Sequence, residues 1–172
     1  IALIVLKQYK NTNIKNTSNT TTYKEYPDVI AELKKDEKTR LLIDRLSSAN
    51  SLEVFNSFND LSKTESDQNK KESLGLFAGA SLLALDKTAG SEYFMSIANS
   101  AQNSNLTKAY AMIKIYQESL AYAKPEMLKV FFTDYEKETK GMSDSDIKLA
   151  INKKILDVYP FGLAAARAGR LE

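Results

Sequence analysis

An all-helical fold is what this sequence predicts, and three observations carry the prediction. Glycine and proline are scarce, 6 and 3 in 172 residues, whereas all-β folds spend both in turns. Apolar residues recur at three- and four-residue intervals through most of the chain, the period of one helix face. The links between these stripes are short, so neighbouring helices are expected to pair antiparallel. At 43% hydrophobic and 27% charged residues, the chain has the material for a core and fits one domain.

The elements follow in order. Pro27 suits a first helical turn, with Val29, Ile30 and Leu33 on one face. Asp36 is placed to cap a second helix carrying Leu41, Leu42, Ile43 and Leu46, and Ser51 a third carrying Leu52, Phe55, Phe58 and Leu61. Thr64 to Lys71 reads as a loop and a first turn. Leu74, Phe77, Ala78, Ser81, Leu82 and Leu85 form the next stripe, with Gly90 as its stop and Ser91 as the restart. Tyr93, Phe94, Ile97, Ala98 and Ala101 follow, then a turn at Asn103 to Asn105. Leu106, Ala109, Tyr110, Ile113, Tyr116, Gln117 and Leu120 trace another helix. Pro125 opens one with Leu128, Phe131, Phe132 and Tyr135, ended by Gly141. Ser143 with Asp146 resembles a capping box ahead of Ile147, Ile151, Ile155 and Val158, and Pro160 stops that helix.

A shift of 35 residues preserves the apolar phase. Leu42, Phe77, Met112 and Ile147 fall in one register, Leu46, Ser81, Tyr116 and Ile151 in a second, and Leu85, Leu120 and Ile155 in a third. Phe58, Tyr93, Leu128 and Leu163 align in the helices that follow. A helix pair recurring at this spacing is the mark of an α-solenoid, in which each pair buries its apolar face against the next. Gly75, Ala78, Gly79, Ala80 and Ala84 would allow close stacking, offsetting the roughly 0.5–1 kcal/mol that a glycine costs inside a helix.

Two domains of behaviour are expected. Residues 27–172 form the helical repeat domain. Residues 1–26 hold the apolar run Ile1 to Leu6 and a spacer rich in Asn, Thr and Ser. That run is too short to cross a bilayer, which takes about 20 residues. It reads as the stub of a membrane anchor or as a short strand or plug on the domain. Lys7, Lys10 and Lys15 would favour the cytoplasmic side of a span.

Chemistry finds little support. The absence of cysteine and histidine removes disulfides, thiolate chemistry and the commonest metal ligand. A net charge of +2 does not suit a nucleic-acid binder. Ser145-Asp-Ile-Lys148 fits an S-x-x-K pattern, but S-D-N and K-T-G are missing and Lys87-Thr-Ala-Gly90 is only a near miss. Asp134, Glu136 and Glu138 are interleaved with lysines and do not converge on a helix. Asp144-Ser-Asp146 lacks the glycine and distal glutamate of a calcium loop. No enzyme activity, cofactor or metal is expected.

The stretches Glu72 to Gln102 and Leu106 to Lys124 resemble tetratricopeptide-like repeats. More narrowly, they resemble the repeat region of bacterial inner-membrane proteins of the kind that serve as ancillary subunits of the Sec translocon. The resemblance spans Leu41 to Glu172, is one of layout, and lacks the expected tryptophan. It implies a tetratricopeptide-like α-solenoid on an N-terminal membrane helix. It further implies a periplasmic location and protein–protein contact without catalysis. Phe161 to Glu172 would open a further repeat.

The function expected is thus a membrane-tethered scaffold that holds partner or client proteins. A stand-alone helical binder, such as an immunity or adaptor protein, is the other reading, and the cytoplasm is the other location. With Phe77, Met112 and Ile147 turned to the core, the opposite face would present Gly75 and Gly79, then Tyr110, Lys114 and Gln117, then Ser145 and Asn152. Such a mixture of polar groups and one aromatic anchor suits a reversible protein groove. Tyr116 and Phe131 are expected in the core; Tyr110 and Tyr122 have an outward, hot-spot reading and a partly buried packing one, and packing is favoured.

Overall fold

The computed structural model describes residues 26–46, 51–121 and 124–158. Helices make up most of them, and no strand occurs among the described residues. The elements are α1 (Tyr26–Leu33), α2 (Glu37–Arg45), α3 (Leu52–Thr64), α4 (Gln68–Leu85), α5 (Lys87–Asn99) and α6 (Asn105–Ala121). A 3-10 helix, η1 (Pro125–Phe131), then leads to α7 (Tyr135–Glu138) and α8 (Asp144–Val158). The expectations placed on Ile1 to Leu6, the polar spacer, Tyr122 and Phe161 to Ala168 lie outside the described residues.

Local chemistry explains most of the helix starts. Asp36, Ser51, Asp67, Asp86 and Asp134 each stand just before a helix, and each side chain accepts a backbone N–H of the first turn. That satisfies one of the donors a helix start leaves open. Ser143 and Asp146 form a reciprocal box at α8. The Ser143 N–H donates to Asp146 Oδ2 at 3.0 Å, and the Asp146 N–H to Ser143 Oγ at 3.2 Å. The Ser143 N–H and the Ser143 hydroxyl, both donating to Oδ2, hold the Asp146 carboxyl below its ordinary value.

Antiparallel packing is visible in the residues that meet. Ser62 Oγ donates to the Lys71 carbonyl at 2.9 Å, and Phe58 stacks on Phe77 at 5.5 Å. Position thus falls on α3 as it rises on α4. On the next pair, a Cβ at Gly90 would fall on the Leu83 backbone, one at Gly79 would meet the Phe94 ring, and Gly75 lies near Ile97. Packing runs chiefly between sequence neighbours, α3 with α4, α4 with α5, α5 with α6 and α6 with η1, while α1 also rests on α4, α5 on η1 and α6 on α8.

Two apolar clusters result. The smaller gathers Val29, Leu33, Leu42, Val54 and Phe58, and the larger runs from Leu76 and Leu83 through Phe94, Ile115 and Met127 to Ile151 and Ile155. α4 belongs to both, giving Leu74 and Ala78 to the first and Leu76 and Leu83 to the second.

Several expectations change. Gly90 does not stop a helix. The chain turns at Asp86, whose N–H donates to the Leu82 carbonyl while its carboxylate accepts the Ala89 N–H at 3.0 Å. Gly90 sits inside α5 because only a residue without Cβ fits against Leu83. The single helix expected from Pro125 to Gly141 is broken. Glu138 Oε1 accepts the N–H groups of Thr133 and Asp134 at 2.8 and 2.9 Å, which starts α7 afresh. Gly141, at φ +80°, does close that turn.

The stripe foreseen on α4 is really two faces, because α4 is packed from several sides. Phe77 is accordingly only half-buried. The first register otherwise holds, with Leu42, Met112 and Ile147 buried, and Ser81, Tyr116 and Ile151 are buried in the second. The third fails: Ile155 is buried, but Leu85 and Leu120 are 45% and 38% exposed. Those two lie at the ends of α4 and α6, and Ile155 has a further turn beyond it.

Candidate functional site

Tyr110, Lys114 and Gln117 share one face of α6 by their four- and three-residue spacing. Their surroundings differ from an open groove. Glu118, one turn after Lys114, holds two lysines. Its Oε1 takes Lys114 Nζ at 2.7 Å, and its Oε2 faces Lys87 Nζ, from the first turn of α5, at 3.6 Å. All three side chains are partly shielded, so the bracket joins α5 to α6 more firmly than a fully exposed pair would.

Tyr110, offered above as an anchor, is partly buried. It packs on the larger cluster, and burial first, then the nearby Glu118 charge, push its hydroxyl up to about 12. It therefore stays protonated at neutral pH and serves as packing. Its register neighbours explain this: Met112 and Ile113 are buried and the helix is enclosed on several sides. Gln117 is half-buried.

Ser145 and Asn152 share a face of α8 by their spacing of seven. Ser145 is exposed at the first turn. Asn152 is half-buried, and its Oδ1 is buried without a hydrogen-bond partner. Among the described residues no hydrogen bond or ion pair joins Lys114 or Gln117 to either of them. Gly75 and Gly79, assigned by phase to the same open side, are buried against Ser62 and Phe94. Tyr116 and Phe131 are in the core.

What the sequence did not reveal is a cleft where four elements meet. It lies among the end of α6, η1, α7 and the start of α8, with a volume of about 320 Å³. Its walls are Leu120, Pro125, Leu128, Tyr135 and Ile147. Leu128 and Ile147 are buried residues of the larger cluster and Leu120 is partly exposed. Asp144 and Lys148, one turn apart on α8, add opposite charges. Both are exposed, and neither makes an ion pair among the described residues. Ser119 also lines it, but its hydroxyl is committed to the Lys124 carbonyl at 3.0 Å.

The cleft depends on the break that periodicity hid. A continuous helix from Pro125 would have carried Phe132 and Tyr135 onward without a corner. Instead Tyr135 restarts the chain in α7, its ring edge-on to Phe132 at 5.6 Å and facing Lys129 Nζ at 5.3 Å. The legible signal was Thr133-Asp134 followed by Glu138, a capping pattern inside an apolar stripe.

Among the described residues no three Asp or Glu side chains converge on a point that could hold a metal ion. No described helix is long and apolar enough to cross a membrane. Compared with known proteins, the chain matches no protein-family model, no curated protein and no solved structure.

Proposed function

We propose that this chain is a non-catalytic protein–protein interaction scaffold, built of stacked helix pairs in a tetratricopeptide-like solenoid. The observation that carries the reading is the cleft between α6, η1, α7 and α8. It offers an apolar floor, a partly exposed leucine and a charged edge. An apolar centre within a polar rim is the usual make-up of a protein-binding patch. Its volume sits at the small end of binding cavities, roughly 300–1,000 Å³, and suits one apolar side chain of a partner. Packing between sequence neighbours supports the solenoid, because stacked pairs leave their outer faces free.

In this reading the domain is tethered to a bacterial inner membrane, faces the periplasm and holds partner or client proteins. The layout shared with membrane-anchored repeat proteins supports that placement. Replacing Tyr110 would disturb packing as well as any groove, because it packs against the core. The test therefore uses Leu120→Glu combined with Lys148→Glu, both partly or fully exposed. Partner capture from the native organism should be lost while the melting curve matches wild type. Equal recovery by the two proteins would remove the cleft from the reading.

A further inference from the structure

We propose that the joint between α4 and α6 is proton-linked through Glu72 and strengthens as that carboxyl takes up a proton. Glu72 lies in α4 and is only 4% exposed. Its Oε1 accepts the N–H of Ser104, the residue just before α6. The hydroxyls of Ser104 and Thr107 and the side chain of Gln68 lie close enough to favour its ionised form. Ser104 in turn accepts the Thr107 N–H at 3.2 Å. The start of α6 is thus capped twice, once locally and once across the helix interface.

The unusual feature is the missing cation. A buried glutamate is almost always paired, yet among the described residues this one has no ion-pair partner. Charged groups on the helices packed here include Glu32 of α1, Asp60 and Lys63 of α3, Lys70 and Lys71 of α4, Glu92 of α5 and Lys108 of α6, and none of these lysines forms an ion pair with Glu72. The positive end of α6 and the neutral donors stand in for a counter-charge. Burial nevertheless outweighs them and holds the carboxyl above its ordinary 4.5. A raised carboxyl favours folding fully below the ordinary value, and the benefit fades as pH rises through the raised one. The site can accept the proton. The two hydroxyls and the Gln68 amide oxygen can turn to accept a carboxyl O–H, while the second oxygen keeps the Ser104 N–H.

The experiment compares the full chain as wild type, Glu72→Gln and Glu72→Ala across pH, by urea unfolding and by amide exchange in the first turn of α6. Glu72→Gln, which resembles the protonated form, should match or exceed wild type at neutral pH. Glu72→Ala should fall below both, since it strands the Ser104 N–H. The wild-type to Gln ratio of folding constants should close on acidification, by at most about tenfold per pH unit. A ¹³C titration of the Glu72 carboxyl in wild type gives the same answer without any variant. A midpoint at or below 4.5, or Glu72→Gln as unstable as Glu72→Ala at neutral pH, overturns the proposal.

Discussion

At Gly79 a Cβ would come within 2.8 Å of the Phe94 ring. At Gly90 it would fall on the backbone of Leu83, and at Gly75 it would meet Ser62 Oγ at 3.4 Å and Ile97 Cδ1 at 4.0 Å. These three sites make a graded test of how closely α4 is packed. Gly90→Ala has no side chain to push aside, so α4 and α5 must separate, and it should be the worst of the three. Gly79→Ala can move the ring at some strain and should cost about 1–3 kcal/mol. Gly75→Ala should be near neutral, because better helix propensity returns roughly 0.5–1 kcal/mol. Urea unfolding of the three variants checks the order. The small-residue pattern was legible in the sequence, but its purpose at Gly90 was not. A glycine near a helix end looks like a stop, and only the facing Leu83 backbone shows that it is a contact.

Helix starts were read well where one side chain decides them. Asp36, Ser51 and Ser143 all do what their positions suggest. Asp86→Ala should cost about 1 kcal/mol as a lost cap, measured as a shift in the urea midpoint. At α8, Ser143 holds the Asp146 carboxyl below its ordinary 3.8. Its contribution is present above that value and disappears as pH falls through the lowered one. Asp146→Asn should therefore weaken α8 at neutral pH and converge with wild type in acid, with circular dichroism following the loss of helix. Element ends proved harder than starts. Periodicity fixes which face is apolar, not where the neighbouring helix stops, and so Leu85 and Leu120 kept the phase yet missed the core. The break before α7 was hidden for a related reason: Phe131, Phe132 and Tyr135 fit a helical stripe whether or not the backbone stays helical.

Across the whole molecule, α4 is the one described helix that supplies buried residues to both clusters. The clusters should therefore fail in sequence when one is weakened. Phe58→Ala removes a fully buried ring from the smaller cluster and should cost about 3–5 kcal/mol. Amide exchange should rise most in α1 and α3. Ile151→Val, in the larger cluster, should cost about 0.5–1.5 kcal/mol and raise exchange first in α6 and α8. Uniform acceleration in both variants would show one cooperative unit. The all-helical class was legible from composition and period alone. The cleft was not, since it needs α6, η1, α7 and α8 to meet, and residues from Ser119 to Lys148 carry no shared motif. Phase alone selects the groove residues, and phase does not show that Lys114 is committed to Glu118 or that Tyr110 packs against the core.

The corner at Asp86 has a consequence for how the chain can be cut or extended. One residue closes α4 and opens α5, leaving no slack between them. A protease nicks pliable, exposed loop tips, and insertions are accepted where backbone is exposed and unbonded. Asp86 offers neither: its N–H and carboxylate are both engaged, and Leu83 and Gly90 touch on either side. Limited digestion should spare this bend, and a short glycine-serine insert after Asp86 should disrupt folding. The same insert after Lys140, in the turn between α7 and α8, should be tolerated.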